Sequence, residues 1–322
     1  MIKKTSLFIV MGYLGAITSA EKSSLVPALE KLQVASPARV ADDSFSINYM
    51  WIANCLNPAQ KWIYPGDDKT VLQKFMVPLL LTAQANTPED SVNLWYDSMH
   101  TSPSAVTITK DMLKQFLSKS PTPCAPIKLK DLRKLEIVKN YASVLGDDIP
   151  VYFRGDKLRL AATIDSQLPQ RYFVYSDLNL YLIKDGRPAP LSKKNIFDAR
   201  TKGFLAKYGV VVAQNTYQTT EGAYLASSSF ENQFHVVDTR NRMTLQAIRE
   251  TILDPVFKEA QMALAEDSKT TPHTTEHRNE LVHSVFVRYP SLFRAVCDDS
   301  KPTTLVHHQS GSGGKYDIPF KP

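Results

Sequence analysis

A short run of strand-forming residues that ends on two oxygen-bearing side chains constrains this chain more than any other feature. Residues 172–175 read Tyr-Phe-Val-Tyr and are aromatic or β-branched, as expected of a buried strand. Asp177 and Asn179 follow at once. Side chains at positions i and i+2 of an extended chain point to the same face, so this pair could hold one hard divalent cation. The alternative is a strand followed by an ordinary turn rich in Asp and Asn.

Strand and helix patterns alternate along the chain and indicate an α/β protein. Runs dense in strand-forming residues predict strands at 45–52, 91–96, 172–176, 210–213, 223–227 and 233–237. Helical spacing of apolar residues predicts helices over 69–84, 109–118, 128–145, 156–168, 243–265 and 280–286. The order strand, helix, strand over 45–96 is the beginning of a βαβ unit. We interpret about 105–150 as a helical insertion and 301–322, rich in Gly, Ser and Pro, as loop.

Charge and cysteine usage narrow the classes of function. The chain has 38 Lys and Arg residues against 32 Asp and Glu residues, a mild excess that favours anionic ligands such as nucleotides or phosphates. No basic run interleaved with aromatic residues predicts a nucleic-acid groove. Cys55, Cys124 and Cys297 have no CxxC spacing and predict neither a disulfide framework nor a zinc site. If the protein is exported, the alternative is that two of the three cysteines form one disulfide and the third keeps a free thiol.

The first twenty residues have the pattern of a signal peptide. Lys3 and Lys4 precede a mostly apolar run over 7–17, and Ala20 ends a small-residue cleavage pattern before Glu21. The apolar run is too short for a comfortable membrane span, and no other stretch of the sequence is apolar enough. We therefore expect a signal peptide over 1–20, a single domain over 21–322, and a secreted or exported protein with no stable membrane span. The alternative is an uncleaved leader or a short anchor.

Six short motifs follow one another along the chain. They are Asn48-Tyr-Met-Trp-Ile52, Ser91-Val-Asn-Leu-Trp-Tyr-Asp-Ser98, Gly155-Asp-Lys-Leu-Arg159, Val174-Tyr-Ser-Asp-Leu-Asn179, Glu231-Asn-Gln-Phe234 and Leu305-Val-His-His-Gln-Ser-Gly-Ser312. In this order they resemble the catalytic domain of DXD-containing sugar-nucleotide glycosyltransferases. The particular resemblance is to the glucosyltransferase domain of the large clostridial cytotoxins and related bacterial effectors. It implies an α/β, GT-A-like nucleotide-diphospho-sugar transferase fold, a mixed sheet with helical insertions.

The resemblance also implies which residues form the site. In that family the matching positions surround the nucleotide-sugar donor and its metal ion. The implied catalytic residues are Asp156, Arg159 and Asp177; the donor-binding residues are Trp51, Tyr175, Asn232 and Ser310; the metal ligands are Asp177, Asn179 and His308. Trp51 would stack on the base, and Asp156 and Arg159 would bind the donor sugar and its phosphates. Each residue also has a plain structural interpretation, such as a core position for Trp51 or a helix cap for Asp156.

The chemistry of sugar transfer fits these residue types. Breaking the bond between the anomeric carbon and a diphosphate leaves negative charge on the diphosphate, which Mn²⁺ or Mg²⁺ and an Arg can stabilise. Together with this chemistry, the resemblance implies a metal-dependent glycosyltransferase, with a UDP-sugar as the preferred donor and a protein or glycan as acceptor. Delivery of such an effector or toxin to a host cell is a further implication of the resemblance.

Three departures from the family pattern keep alternatives open. Asn179 replaces the second acidic residue, residues 168–171 replace a Gly-Gly pair, and Gly313 follows Ser312 where the family has Trp. One alternative is a non-catalytic secreted interaction protein with a degenerate glycosyltransferase fold. Another is a metal-dependent phosphate-ester hydrolase, but a two-metal site needs more carboxylate and histidine ligands than these motifs supply.

Replacing Asn179 with Asp tests the opening motif. If Asn179 is a metal ligand, the new carboxylate adds one negative charge at the cation, and the affinity for Mn²⁺ should increase. Calorimetric titration of Mn²⁺ into the wild type and into Asn179→Asp measures that change. Equal affinities would show that Asn179 is only a turn residue, where Asn and Asp are near-equivalent.

Overall fold

The computed structural model describes residues 43–51, 78–99, 101, 103–120, 123–140, 158–164, 170–178, 180–253 and 305–308. All of these belong to one structural unit of the chain, Val40–Pro322. The predicted signal peptide over 1–20 and the predicted helix over 280–286 lie outside the described residues. So do Cys55 and Cys297, whereas Cys124 is described and has a free thiol.

Nine strands of the described chain form one mixed sheet. They are β1 (Phe45–Trp51), β2 (Ser91–Tyr96), β3 (Ile127–Asp131), β4 (Tyr172–Ser176), β5 (Leu180–Lys184), β6 (Arg187–Ala189), β7 (Val210–Gln218), β8 (Tyr224–Asp238) and β9 (Leu305–His308). Their spatial order is β3-β2-β1-β4-β8-β7-β9-β5-β6. The first four are mutually parallel, and β8 runs antiparallel to both β4 and β7. The expected fold class, α/β with a mixed sheet, is confirmed.

Helices connect the strands. They are α1 (78–84), α2 (Pro103–Leu117), α3 (Glu136–Asn140), α4 (158–163), α5 (Lys193–Ile196), α6 (Ala199–Tyr208) and α7 (Arg242–Leu253), with a 3₁₀ turn at Leu132–Lys134. The described parts of the predicted helices over 69–84, 109–118, 156–168 and 243–265 are helical, apart from turn residues at 118 and 164. None of the described helices has the length and apolar character that crossing a membrane requires.

Strand β1 carries apolar side chains on both of its faces, and the sheet is buried on both sides there. Phe45, Ile47 and Tyr49 belong to one apolar cluster, and Met50 belongs to the other. Successive side chains of a strand point to opposite faces, and parallel strands covered on both faces read as nearly continuous apolar runs. The second cluster includes Leu158 of α4, so this helix lies on the same face as Met50.

A buried amide joins the three central parallel strands. The Oδ1 atom of Asn48 on β1 accepts hydrogen bonds from Asn93 Nδ2 at 2.8 Å and from Trp95 Nε1 at 3.0 Å, both on β2. Its Nδ2 atom donates to the carbonyl oxygen of Val174 on β4 at 3.1 Å. Asn48 is fully buried, and these bonds satisfy the amide where water cannot reach it.

The predicted helix over 128–145 is wrong in its first part. Ile127–Asp131 is the edge strand β3, paired in parallel with β2. Among the described residues of that range only Glu136–Asn140 is α-helical, after the 3₁₀ turn at Leu132–Lys134. Apolar residues at 127 and 129 satisfy strand alternation, whereas those at 129 and 132 have helical spacing. Pairing with β2 decides between the two, because it satisfies the backbone of 127–131. The insertion predicted at about 105–150 therefore contains a strand of the main sheet.

Two further predictions are corrected at the other side of the sheet. The separate strands predicted at 223–227 and 233–237 are one strand, β8, because β7 pairs along its length. The tail over 301–322, predicted as loop, contributes β9 between β7 and β5. The hairpin of β5 and β6 was missed, although its turn at Asp185-Gly186, with φ of 51° and 72°, carries a strong sequence signal for a hairpin.

Gly209 should not tolerate a side chain. It ends α6 with φ of 73°, and its N–H donates to the carbonyl oxygen of Leu205. A Cβ atom there would overlap the side chains of Asn241 and Thr244. We expect Gly209→Ala to lower the free energy of unfolding by roughly 1–3 kcal/mol, measured by urea denaturation.

Gly203 supplies the matched control for that substitution. It lies inside α6 with open space around its Cα atom. Gly203→Ala should raise the free energy of unfolding by roughly 0.5–1 kcal/mol, since alanine favours a helix over glycine. A Gly209→Ala variant as stable as the wild type would contradict the packing described for this helix end.

Candidate functional site

The strand order reverses at β1, so a topological switch point lies between β1 and β4. From β1 the chain goes on to β2 and β3 on one side, and β4 lies on the other side. Ligands of open α/β sheets bind outside the carboxyl ends of the strands at such a switch point. β1 ends at Trp51, and β4 ends at Ser176, directly before Asp177.

Asp177 and Arg159 meet at the carboxyl end of β4, beside this switch point. The Nη1 atom of Arg159, on α4, lies 3.8 Å from Oδ1 of Asp177. The same carboxylate oxygen accepts a hydrogen bond from the hydroxyl group of Tyr175. About a quarter of the Asp177 side chain is exposed, against 9% for Arg159. A partly exposed carboxylate next to a largely buried guanidinium is therefore available to a ligand at the edge of the sheet.

Tyr175 is the platform on which Arg159 rests. The Cζ atom of Arg159 lies 5.1 Å from the centre of the Tyr175 ring, within the range of a cation–π contact. On β8, the ring of His235 stacks against Tyr175 with centroids 5.0 Å apart and planes 18° apart. These two residues are direct partners in the pairing of β4 with β8. The guanidinium, the phenol ring and the imidazole ring thus form a stack.

His235 is held in the neutral state. Burial, and after it the charge of Arg159, lower the pKa of His235 from 6.5 to about 3. Its Nε2 atom lies 3.2 Å from Oγ1 of Thr163, one helical turn after Arg159 on α4. Sequence reasoning missed His235 and Thr163, because a lone His inside a strand and a Thr inside a helix carry no local signal of a shared site.

The described residues bring three of the predicted site residues together: Arg159, Tyr175 and Asp177. Trp51, Asn232 and His308 lie on β1, β8 and β9, but their side chains lie outside the description. His308 pairs with Leu180, directly after the Asp-x-Asn segment. The remaining three predicted residues, Asp156, Asn179 and Ser310, lie outside the described residues. The roles of all nine stay predictions.

The strand that carries Asn232 is irregular at this level. Val212 pairs with His235 and Ala213 pairs with Glu231, so β8 has extra residues opposite a single step of β7. Since Ser176 pairs with Phe234, Asn232 lies beyond the carboxyl end of β4. Such bulges bend a strand and are frequent beside binding sites.

A second ion pair at the carboxyl edge is structural. Asp97, the residue before last of the Ser91–Ser98 motif, is fully buried. It accepts two hydrogen bonds from Arg133, from Nε at 2.7 Å and from Nη2 at 2.9 Å. It also accepts one from the backbone N–H of Met99. With its oxygens engaged and no exposed surface, Asp97 fastens the loop after β2 to the turn after β3.

A divalent cation fits the chemistry of the Asp177 carboxylate. Among the described residues no three His, Cys, Asp or Glu side chains converge as a metal cluster. Mg²⁺ is often bound through only one or two carboxylates together with the phosphates of a substrate. The partly exposed carboxylate of Asp177 meets that requirement, and the ligands predicted beside it are Asn179 and His308.

Comparison with known proteins gives structural neighbours only. No protein-family model and no curated protein matches the sequence. Mouse xyloside xylosyltransferase 1 in its apo form is similar with a TM-score of 0.43 and 11% identity, over 77% of this chain and 83% of that one. A structure described as a transferase mutant is similar with a TM-score of 0.35 and 11% identity, over 66% of this chain and 79% of that one. The fold class rests on the strand order itself.

Acidification should destabilise the protein through His235. Between pH 6.5 and about 3 the unfolded chain binds a proton at His235 that the folded chain does not bind. The contribution of neutral His235 to the free energy of unfolding is therefore fully present well above pH 6.5. It decreases as the pH falls, by roughly 1.4 kcal/mol per pH unit below that value. From pH 8 to pH 5 we expect a loss of about 2 kcal/mol from this one group, measured by urea denaturation.

His235→Gln is the control for this pH dependence, because glutamine does not titrate. The difference in unfolding free energy between wild type and variant should shrink as the pH falls from 8 to 5. Parallel stability curves for the two proteins would show that His235 is not buried in its neutral form.

Proposed function

We propose that this protein is a metal-dependent glycosyltransferase that transfers a sugar from a nucleotide donor, a UDP-sugar by preference. The observation that carries the proposal is the pairing of Arg159 with Asp177 outside the carboxyl end of β4, at the switch point beside β1. One side chain there suits a phosphate and the other suits a cation. A sugar-nucleotide diphosphate with its metal ion requires both.

Arg159 is the residue for the leaving diphosphate. Its planar guanidinium offers several N–H donors that match phosphate oxygens in pairs. Its side chain is only 9% exposed, so its charge acts where water screens it weakly. Negative charge that develops on the diphosphate as the glycosidic bond breaks is therefore stabilised at this point. Tyr175 contributes by supporting the guanidinium and by donating its hydroxyl hydrogen to Asp177.

Asp177, with Asn179 and His308, is proposed to hold Mn²⁺ or Mg²⁺. When bound, the ion supplies positive charge that the diphosphate oxygens share with Arg159. Trp51, at the end of β1, is proposed to stack on the base. Asp156 is proposed to accept hydrogen bonds from sugar hydroxyl groups.

The other binding residues and the setting of the reaction complete the proposal. Asn232 and Ser310 are proposed to contact the donor sugar and the diphosphate, respectively. The acceptor is a protein or glycan hydroxyl group. The signal-peptide pattern over 1–20 supports export, with transfer to a host cell as the setting in which an effector of this kind would act.

A non-catalytic interaction protein is the second candidate. It is favoured by the state of Asp177, whose carboxylate is already engaged by Tyr175 and lies close to Arg159. A cation would have to compete with that neighbouring positive charge, and Asn179 adds no compensating negative charge. Under this second hypothesis the protein keeps the fold and binds a partner without turning over a sugar nucleotide.

Asp177→Asn tests the proposed function. The wild type should be stabilised against heat by UDP with Mn²⁺ and should hydrolyse a UDP-sugar slowly when no acceptor is present. Removing one negative charge should weaken Mn²⁺ binding and lower turnover by roughly 10²-fold or more. Thermal denaturation with UDP, GDP and Mn²⁺, together with a sugar-hydrolysis assay, gives both readouts.

Asp185→Asn is the matched control, since Asp185 is an exposed residue with positive φ, a conformation that Asn adopts readily. It should behave as the wild type in both measurements. Absence of any stabilisation of the wild type by millimolar UDP or GDP with Mn²⁺ would reject the glycosyltransferase and favour the interaction protein.

A further inference from the structure

Four residues on three elements form a closed circuit of contacts at the candidate site. Arg159 lies over the ring of Tyr175, and Tyr175 stacks on His235. His235 Nε2 lies 3.2 Å from Thr163 Oγ1, and that hydroxyl group donates to the carbonyl oxygen of Arg159 at 3.0 Å. The circuit begins and ends at Arg159. It links one turn of α4 to β4 and to β8.

The direction of these hydrogen bonds fixes the tautomer of His235. A threonine hydroxyl group has one hydrogen, and the Arg159 carbonyl group can only accept it. Toward His235, Thr163 Oγ1 must therefore accept, so the imidazole ring carries its hydrogen on Nε2. His235 acts here as a neutral donor that is locked between Tyr175 and α4.

From this geometry we propose that His235 and Thr163 are positioning residues for Arg159. They hold its backbone and its ring platform so that the guanidinium stays beside Asp177, where the diphosphate of the donor would bind. The proposal rests on the proposed function for the nature of that ligand. His235 is only 5% exposed and lies beneath Tyr175, so it acts through its neighbours and not on the substrate.

The energetic reason is the flexibility of arginine. Its long side chain has many rotamers, and a ligand would otherwise have to remove that freedom on binding. A guanidinium already resting on a fixed ring has lost much of that freedom before the ligand arrives. Preorganisation of this kind strengthens binding without any new contact to the ligand.

Thr163→Val is the decisive variant, because valine keeps the shape of threonine and removes its hydroxyl group. We expect a roughly three- to tenfold loss of affinity for UDP with Mn²⁺, and for pyrophosphate with Mn²⁺, by calorimetry. Thr163→Ser, which restores the hydroxyl group, should recover most of that affinity. In an Arg159→Gln background, Thr163→Val should cause no further loss, because its effect passes through Arg159. An equal loss in both backgrounds would overturn the proposal.

A second readout needs no ligand. The Nε–H signal of Arg159 in the NMR spectrum of the ligand-free protein reports how firmly the guanidinium is held. Thr163→Val should lower its order parameter, and Thr163→Ser should not. If Thr163→Val does not fold, His235→Phe, which keeps a stacked ring but has no N–H to donate, replaces it in both measurements.

The two readouts separate the two proposals. Failure of the wild type to bind UDP or pyrophosphate rejects the proposed function, and the order parameter then decides the positioning role alone. A Thr163→Val protein with unchanged Arg159 order rejects the positioning role, whatever the wild type binds. Unchanged affinity in Thr163→Val, where the wild type does bind, rejects it as well.

Discussion

The buried amide of Asn48 is the interaction on which the centre of this fold depends. Its two ends join β1 to both neighbouring strands, at the position where the strand order reverses. A buried amide left unsatisfied costs roughly 1–3 kcal/mol for each lost group, so the three strands must pair in one register to satisfy it. That register fixes where β1 and β4 end, and thus where Trp51 and Asp177 lie along the chain relative to the switch point.

Two ion pairs at the same edge of the sheet differ in their distances and in how much of each carboxylate is exposed. Asp97 and Arg133 are joined by short hydrogen bonds, and the carboxylate has no exposed surface. Asp177 and Arg159 are 3.8 Å apart, and the carboxylate is partly exposed. In the first pair, the oxygens of Asp97 are already engaged by other groups of the protein. The second leaves about a quarter of its carboxylate side chain exposed to a ligand, while the stack of Tyr175 and His235 restrains its guanidinium.

The sequence predicted the centre of the fold better than its edges. The strands β1, β2 and β4 follow from continuous aromatic and β-branched runs, and the meeting of Arg159 with Asp177 was implied by motif resemblance. Strand β3, at the edge of the sheet, and strand β9, inside it, were mistaken, because a short segment becomes a strand only when a distant partner satisfies its backbone. Thr163 and His235 are 72 residues apart, and only the folded chain shows that they touch.

The position of β9 has a consequence for the order in which the protein can assemble during synthesis. β9 lies between β7 and β5, yet it follows every other described strand in the sequence. A nascent chain that extends only as far as α7 thus has two open strand edges, one on β7 and one on β5. Open edges invite pairing with other chains. Correct folding of this protein therefore requires that β9 pair with β7 and β5 before a strand of another chain binds there. Chaperones that shield open strand edges would favour the correct pairing.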